Sequence, residues 1–341
     1  MGKKNITFDD IAKYTNFSKT TISRYFNAPD SLTLETQQVV ADALEALNYK
    51  ENKVARILAS GKTEFVGIII PSLYMHYYAQ MLSSILSSYE KFGYKFLVFE
   101  GNQDKKIEQQ YIQELLAYKI EGLIVLSHTI PSKELASYHI PVVTIEREDQ
   151  YTCSVNTDNY MGAVQATSLL CKNNCHILFH LNQQVSPTTP GYQRIQGFLD
   201  TCQEHDWPHK LIKTSFGKTY EENEKRMNEI FQEMEESYSG QKKGVFISND
   251  THANIFLNLI IRKYGALPEE YRIVGFDDSP IASSAILPIS TVGQQIDKIA
   301  QQAVELLVMQ MNERKKRKPT PLATPIHQIV TPILKRRATT D

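Results

Sequence analysis

The stretch ITFDDIAKYTNFSKTTISRYFN, Ile6 to Asn27, constrains this chain more than any other. Thr7 stands three residues before Asp10, the spacing at which a hydroxyl and a carboxylate satisfy each other's free backbone N–H groups at a helix start. Phe8, Ile11 and Ala12 then fall on one helical face. Thr15-Asn16-Phe17 reads as a turn, because Asn tolerates left-handed backbone geometry. Ser18 can cap a second helix, with Ile22, Tyr25 and Phe26 inward and Lys19, Thr20, Thr21, Ser23 and Arg24 outward. A third helix is expected from Thr33, with Val40, Leu44 and Leu47 at helical spacing. Two short helices about a tight turn can lie in a DNA major groove, the second helix reading bases. Small helical bundles that never meet nucleic acid share the pattern, so by itself it leaves both readings open.

Any DNA contact must come from a local patch. The 37 Lys and Arg against 38 Asp and Glu leave a formal net charge of −1, so there is no global basic field. At 341 residues the chain exceeds one ordinary domain, and 42% hydrophobic with 22% charged residues is a globular composition. Cys153, Cys171, Cys175 and Cys202 are too sparse for a disulfide framework and point to a reducing compartment. The first residues have no apolar run behind their lysines. The most apolar run, Phe65 to Pro71, is far short of the roughly 20 residues that span a bilayer. The expectation is a cytoplasmic protein with no membrane partner and no cofactor.

From Phe65 the texture changes. Apolar runs at Val66–Pro71, Lys95–Glu100, Gly122–Leu126 and Val142–Ile145 alternate with helical stretches such as Tyr78–Phe92 and Ile107–Tyr118. A second set has strands at His176–Leu181, Leu211–Thr214, Gly244–Ser248 and Ile273–Phe276. Its helices lie near Met161–Lys172, Arg194–His205, Glu221–Glu236 and His252–Tyr264. Continuous apolar strands between helices argue for parallel sheets covered on both faces. The predicted fold class is α/β: a small all-α head joined to a two-lobed parallel-sheet core, with a ligand between the lobes at the carboxyl ends of the strands.

The letters of the head, followed by ALNYKENKVARILASGKTEFVGIIIP, closely resemble LacI/GalR-family transcription regulators. The resemblance continues through GYKFLVFEG, EGLIVLS, PVVTIERED, VNTDNYMGA, GYQRIQGF, SND, VGFDDS and ISTVGQQ, covering nearly the whole chain. It implies a head over 1–48, a hinge over 49–63 and a periplasmic-binding-protein-like core over 64–341. The N-lobe would comprise about 64–161 and 291–322, and the C-lobe about 162–290 and 323–341. It also implies a homodimer, with a tetramer open, on double-stranded operator DNA. Lys19 and Thr20 occupy the family's base-reading positions, and Arg24 follows. Lys and Arg can donate to guanine, and a Thr methyl can pack on thymine. Thr7, Ser18, Ser23, Asn27 and Thr36 are expected to position phosphates. Leu58 matches the hinge leucine that wedges the minor groove, with Asn52 and Ala55 as its neighbours. Glu51 stands where the family usually has proline.

For the effector, a sugar-type pocket wants a cationic fork, carboxylates that accept from hydroxyls and an aromatic platform. The resemblance assigns Arg194, Asp277, Asn249, Asp250, Asp158 and Gln294 to the pocket, with Tyr77 and Tyr78 as an aromatic wall. Arg147 stands where a purine-binding relative has a stacking aromatic, so a sugar or sugar phosphate is expected rather than a nucleobase. The implied function is a repressor controlled by a small carbohydrate-type effector. Two other regulatory or binding readings remain: control by a phosphocarrier protein corepressor, or a sugar-binding protein without a DNA role. An enzyme built on Arg194, Asp277 and Asp278 lacks an accompanying nucleophile or base. Cys171, Cys175 and His176 have no second ligand cluster to complete a zinc site. The basic run Arg314 to Lys318 reads as a solvated loop, and Lys335 to Asp341 as a frayed tail.

Overall fold

The computed structural model describes residues 6–50, 57, 63–101, 104–147, 149–187, 189–320 and 322–341. It divides into two compact units, Met1–Lys62 and Thr63–Asp341.

The first unit carries α1 (Phe8–Thr15), α2 (Lys19–Asn27) and α3 (Leu34–Ala46). The capping box forms: the Thr7 hydroxyl accepts from the Asp10 N–H, and the Asp10 carboxylate accepts from the Thr7 N–H at 2.8 Å. Asn16 ends α1 with φ 56°, so the residue that tolerates left-handed geometry sits where the turn requires it. Ser18 and Thr33 cap α2 and α3. Ile11, Ile22 and Val40 are buried at the centre, flanked by Phe8 stacked on Phe26 at 5.1 Å.

The second unit is built on two six-stranded sheets. The N-lobe sheet takes β1 (Phe65–Ile70), β2 (Lys95–Glu100), β3 (Gly122–Val125), β4 (Val142–Ile145), β5 (Cys153–Thr157) and β11 (His327–Val330), in the order β11-β5-β4-β3-β1-β2. The C-lobe sheet takes β6 (Ile177–Gln183), β7 (His209–Thr214), β8 (Lys243–Ile247), β9 (Tyr271–Asp277), β10 (Ser290–Gly293) and β12 (Ile333–Lys335), in the order β12-β10-β9-β8-β6-β7. Every pairing is parallel except β10 with β12.

Helices cover both faces of each sheet. In the N-lobe, α4 (His76–Ser87), α5 (Tyr89–Phe92), α6 (Lys105–Ala117) and α7 (Ser132–Ala136) come from the first half of the chain, and α13 (Ile296–Arg314) from the end. The C-lobe has α8 (Asn159–Lys172), α9 (Tyr192–Glu204), α10 (Tyr220–Ser237), α11 (Asp250–Tyr264) and α12 (Pro280–Ser284). Successive strand residues point to opposite faces and both are buried, which is why the strands read as unbroken apolar runs. In β1, Ile68 and Ile70 pack with Met81, Ile85 and Ile299, while Ile69 packs with Ile112 and Leu115. In the C-lobe, Phe179, Val245 and Ile273 join Phe231 and Phe256, while Phe246, Val274 and Phe276 join Ala163 and Phe198.

The chain passes between lobes three times. β5 leads into α8 at Asp158, β10 leads into α13 at Gln294 and Gln295, and β11 leads into β12 at Thr331. The first matches the expected crossing near Met161. The second falls a few residues after the expected Ser290. The third does not lie near Leu322: β11 belongs to the N-lobe sheet, paired with β5, so the C-lobe tail begins after Val330. The three crossings bind one another. Asp158 N–H donates to Val330 O at 3.0 Å, Thr157 Oγ1 to Gln294 Oε1 at 2.6 Å, and Gln295 Nε2 to Thr331 O.

The tail is not frayed. Thr339 and Thr340 are buried, Thr339 Oγ1 donates to Ile273 O at 2.7 Å, and Ser290 N–H donates to Thr339 Oγ1 at 2.9 Å. A short polar segment carries no apolar signal, so only its hydrogen bonds to β9 and β10 reveal that it is fixed.

Candidate functional site

The strands of both lobes end at the cleft between them, and the side chains there form two layers. The inner layer is assembled on the crossings. Arg194, in the first turn of α9, donates through Nε to Asn159 Oδ1 at 2.6 Å and through Nη1 to Ser248 O at 2.6 Å. Its guanidinium lies 3.7 Å from the centre of the Phe276 ring, a cation–π contact that fixes its plane. Nη2 has no partner among the described residues and is the donor left for a ligand.

Asp277 ends β9 and is nearly inaccessible, with one carboxylate oxygen accepting from Gln294 Nε2 at 2.6 Å. Its φ of 113° is a conformation that side chains rarely adopt, and Asp278 follows at φ 55°. Such backbone persists where surrounding structure over-determines it, commonly at functional sites. Burial lifts the Asp277 carboxyl from 3.8 to about 7, against the pull of Arg194 and Gln294 and with a push from Glu146.

Tyr77 and Tyr78 open α4 and meet edge to face at 5.2 Å. Burial raises both phenols, Tyr78 to about 12, and Glu146 and Asp277 raise them further while Arg194 opposes. The Tyr77 hydroxyl is buried without a hydrogen-bond partner among the described residues. An orphaned buried hydroxyl costs free energy unless something completes it. Tyr77, Tyr78, Arg194, Asp277 and Gln294 are thus brought together as a group.

Other expected pocket residues do different work. Arg147 is a correction: its guanidinium is buried and donates to Ile130 O, Ser132 Oγ and Ser127 O, bracing the loop after β3. These bonds hold both Nη groups against the N-lobe. Asp250 is a second correction. Its carboxylate accepts from Ser279 N–H at 2.8 Å, Ser279 Oγ at 3.2 Å and Thr291 Oγ1 at 2.6 Å, tying α11 to β9 and β10. A Cβ on Gly275 would overlap this carboxylate, so glycine there makes the approach possible. Asn249 caps α11 by accepting from His252 N–H at 2.8 Å, and Asp158 caps α8 by accepting from Met161 N–H at 2.9 Å.

Sequence reasoning missed the brace behind the inner layer. Glu146, at the end of β4, accepts from Thr157 N–H at 2.6 Å and from Asn159 Nδ2 at 2.7 Å. Asn159 passes the connection to Arg194, and Thr157 passes it through Gln294 to Asp277. An acidic residue just past a buried strand was the available signal, since that is where α/β folds place cleft residues.

The outer layer lies at the mouth. His76 Nδ1 is 3.2 Å from Thr251 Oγ1, an N-lobe helix start facing a C-lobe one. Beside it, the Tyr74 hydroxyl lies against the Asn223 side chain of α10. Phe216 stacks on His252 at 3.8 Å. His128 follows β3 with its side chain exposed to solvent. Burial holds His252 and the core residue His180 to about 3.

In the head, Thr20, Arg24 and Lys19 are exposed, with Lys19 Nζ 2.7 Å from Asp9. So exposed a pair contributes little and gives way easily. Asn27 Nδ2 donates to Ser23 O and Ser23 Oγ, extending the same polar face. Thr7 and Ser18 act as caps, and the Thr36 hydroxyl bonds that of the cap Thr33 at 2.9 Å. Asn52, Ala55 and Leu58 lie outside the described residues. No helix among the described residues is long and apolar enough to cross a membrane.

Comparison with known proteins agrees with this division. Residues 7–52 match bacterial regulatory proteins of the lacI family. Residues 63–233 match periplasmic binding proteins and the sugar binding domain of that family, and residues 170–332 a periplasmic binding protein-like domain. Among curated proteins, a ribose operon repressor of Halalkalibacterium halodurans is 24% identical over 98% of this chain and 97% of its own length. A sucrose operon repressor of Pediococcus pentosaceus is 26% identical over 89% and 92%. Among solved structures, the lac repressor dimer bound to operator and an anti-inducer superposes with TM-score 0.80 at 19% identity, covering 99% of each chain. A protein of Alkaliphilus metalliredigens complexed with D-xylulofuranose superposes with TM-score 0.70 at 24% identity, covering 82% of this chain and 99% of the other.

Proposed function

We infer that the chain, which belongs to the lacI family of bacterial regulatory proteins, is a transcription repressor that binds operator DNA as a dimer under the control of a sugar-class effector. One observation carries this reading: a groove-sized head with an exposed Lys19–Arg24 face is joined in one chain to a two-lobed core whose cleft holds Arg194, Asp277 and an unsatisfied Tyr77 hydroxyl. It is not an enzyme, and it acts where its operator is, in the cytoplasm.

In this reading Lys19, Thr20 and Arg24 meet base edges, while Thr7, Ser18, Ser23, Asn27 and Thr36 position the phosphate backbone. Asn52, Ala55 and Leu58 serve the minor groove from a hinge at 49–63. In the core, Arg194 and Asp277 clamp ligand hydroxyls, Tyr77 and Tyr78 supply the wall, and Gln294 ties the clamp to the crossings. A ligand held by residues of both lobes favours the closed arrangement. Its differential affinity for the closed over the open form is the largest shift it can impose. The crossings convert closure into a change at the N-lobe, from which the hinge leads to the head.

The test begins with DNA fragments selected on the full-length protein and footprinted. A two-fold pseudo-symmetric site is expected, released or tightened by a sugar that also raises the melting temperature. A footprint of a single half-site, indifferent to every sugar that stabilises the protein, would overturn the reading.

A further inference from the structure

Resting on the effector pocket just assigned, the charges of its inner layer decide which form of a sugar can enter. Among the described residues Arg194 is the cation at its centre, and Asn159 and Ser248 each accept from one of its nitrogens. Against it stand Asp277 and Glu146, both close enough to perturb Tyr77 and Tyr78. Asp250 lies behind Asp277, and burial and then the Asp277 charge resist its ionisation.

Other cations are turned away. The Arg147 guanidinium is consumed by backbone carbonyls of the N-lobe. Arg337 and Lys335 are drawn to Asp278, at 2.5 and 3.6 Å. The histidines about the cleft add little positive charge at neutral pH: burial holds His252 and His180 to about 3 and lowers His76. What converges on the pocket among the described residues is thus a pair of carboxylates, the free N–H groups of Arg194 and a buried Tyr77 hydroxyl without a partner.

A phosphate dianion needs several donors or two cations to replace its water. Here it would meet the free N–H groups of one guanidinium, faced by the Asp277 and Glu146 carboxylates, whose repulsion acts more strongly than in water. Sugar hydroxyls suit the same atoms: two adjacent hydroxyls can donate to Asp277, and another can accept from Arg194 or Tyr77.

We propose that the pocket takes a neutral, hydroxyl-rich sugar and rejects the phosphate ester of that same sugar. The rejection is built into the arrangement of the Glu146 and Asp277 carboxylates about the Arg194 guanidinium. Glu146 is therefore a specificity residue acting through its charge, held away from the ligand by Thr157 and Asn159.

The experiment is calorimetric titration of the full-length protein with matched pairs: ribose and ribose 5-phosphate, glucose and glucose 6-phosphate, fructose and fructose 6-phosphate, sucrose and sucrose 6-phosphate. In whichever pair binds, the free sugar should bind about 100-fold or more tightly than its ester. Glu146→Gln should improve the ester's own affinity by tenfold or more, whatever the lost acceptor to Thr157 or Asn159 does to the free sugar. An ester that binds within tenfold of its free sugar, or better, overturns the proposal and leaves the effector pocket standing. Silence from all the pairs overturns the sugar pocket and the proposal together. A Glu146→Gln protein that binds the free sugar normally with an unchanged gap removes Glu146 from the account.

Discussion

Asp277→Asn offers a sharp test of how the cleft is poised. In the ligand-free protein this carboxyl is lifted from 3.8 to about 7, first by burial. The native state therefore holds a proton that the unfolded chain releases near pH 4. Between about pH 4 and pH 7 the native state binds more protons than the unfolded one, so stability falls as pH rises across that window and is level above it. At about 1.4 kcal/mol per tenfold change in proton affinity, the full penalty is on the order of 4 kcal/mol. Somewhat more than half of it, about 2.5 kcal/mol, develops between pH 5 and pH 8.

Asparagine keeps an oxygen for Gln294 and carries no charge, so the variant should lack this slope. Relief of Asp250, which the Asp277 charge also pushes upward, acts in the same direction. At roughly 2 °C per kcal/mol for a domain of this size, the variant's melting temperature should gain about 5 °C on the native protein's between pH 5 and pH 8. Scanning fluorimetry without ligand measures it. A difference that stays constant, or moves the other way, would show that Asp277 is not a buried charge waiting for a partner. The same reasoning links stability to function. Ligand hydroxyls stabilise the ionised form, so effector binding should release protons near pH 7, and affinity should rise with pH up to about that point.

Three further outcomes are expected. Arg194→Ala should leave operator binding intact and abolish the effector response in a mobility-shift assay; an unchanged response would remove Arg194 from the pocket. Arg24→Ala should cost about 1–3 kcal/mol on the selected operator and much less on random DNA. Equal losses on both would make Arg24 a phosphate contact. Tyr74→Phe removes a hydroxyl buried against Asn223 at the mouth, so effector affinity should stay within about threefold of the native value. A fall of tenfold or more would show that the hydroxyl bonds the effector.

The head was legible because its determinants are local. Thr7 and Asp10 satisfy each other within one turn, Asn16 accepts a left-handed backbone, and Ser18 and Thr33 cap the helices they precede. The central strands were legible because burial on both faces leaves an unbroken apolar run. The edges were not: β11 and β12 are short and half-exposed. That is why the third crossing was expected near Leu322 and occurs after Val330. Within the cleft, Arg194, Asp277, Gln294, Tyr77 and Tyr78 lie together, whereas Arg147 and Asp250 bond the scaffold around them.

The sequence by itself determined the caps, the helical faces, the buried strands and the kinds of side chain that stand at strand ends. Those depend on interactions within a few residues, or on a periodicity that burial imposes. Only the tertiary structure decided which polar side chains were already spent. A guanidinium reaching backbone carbonyls and one that rests on the Phe276 ring with a donor to spare are the same letter. What separates Arg147 from Arg194 is the set of acceptors that distant segments bring within 3 Å or so.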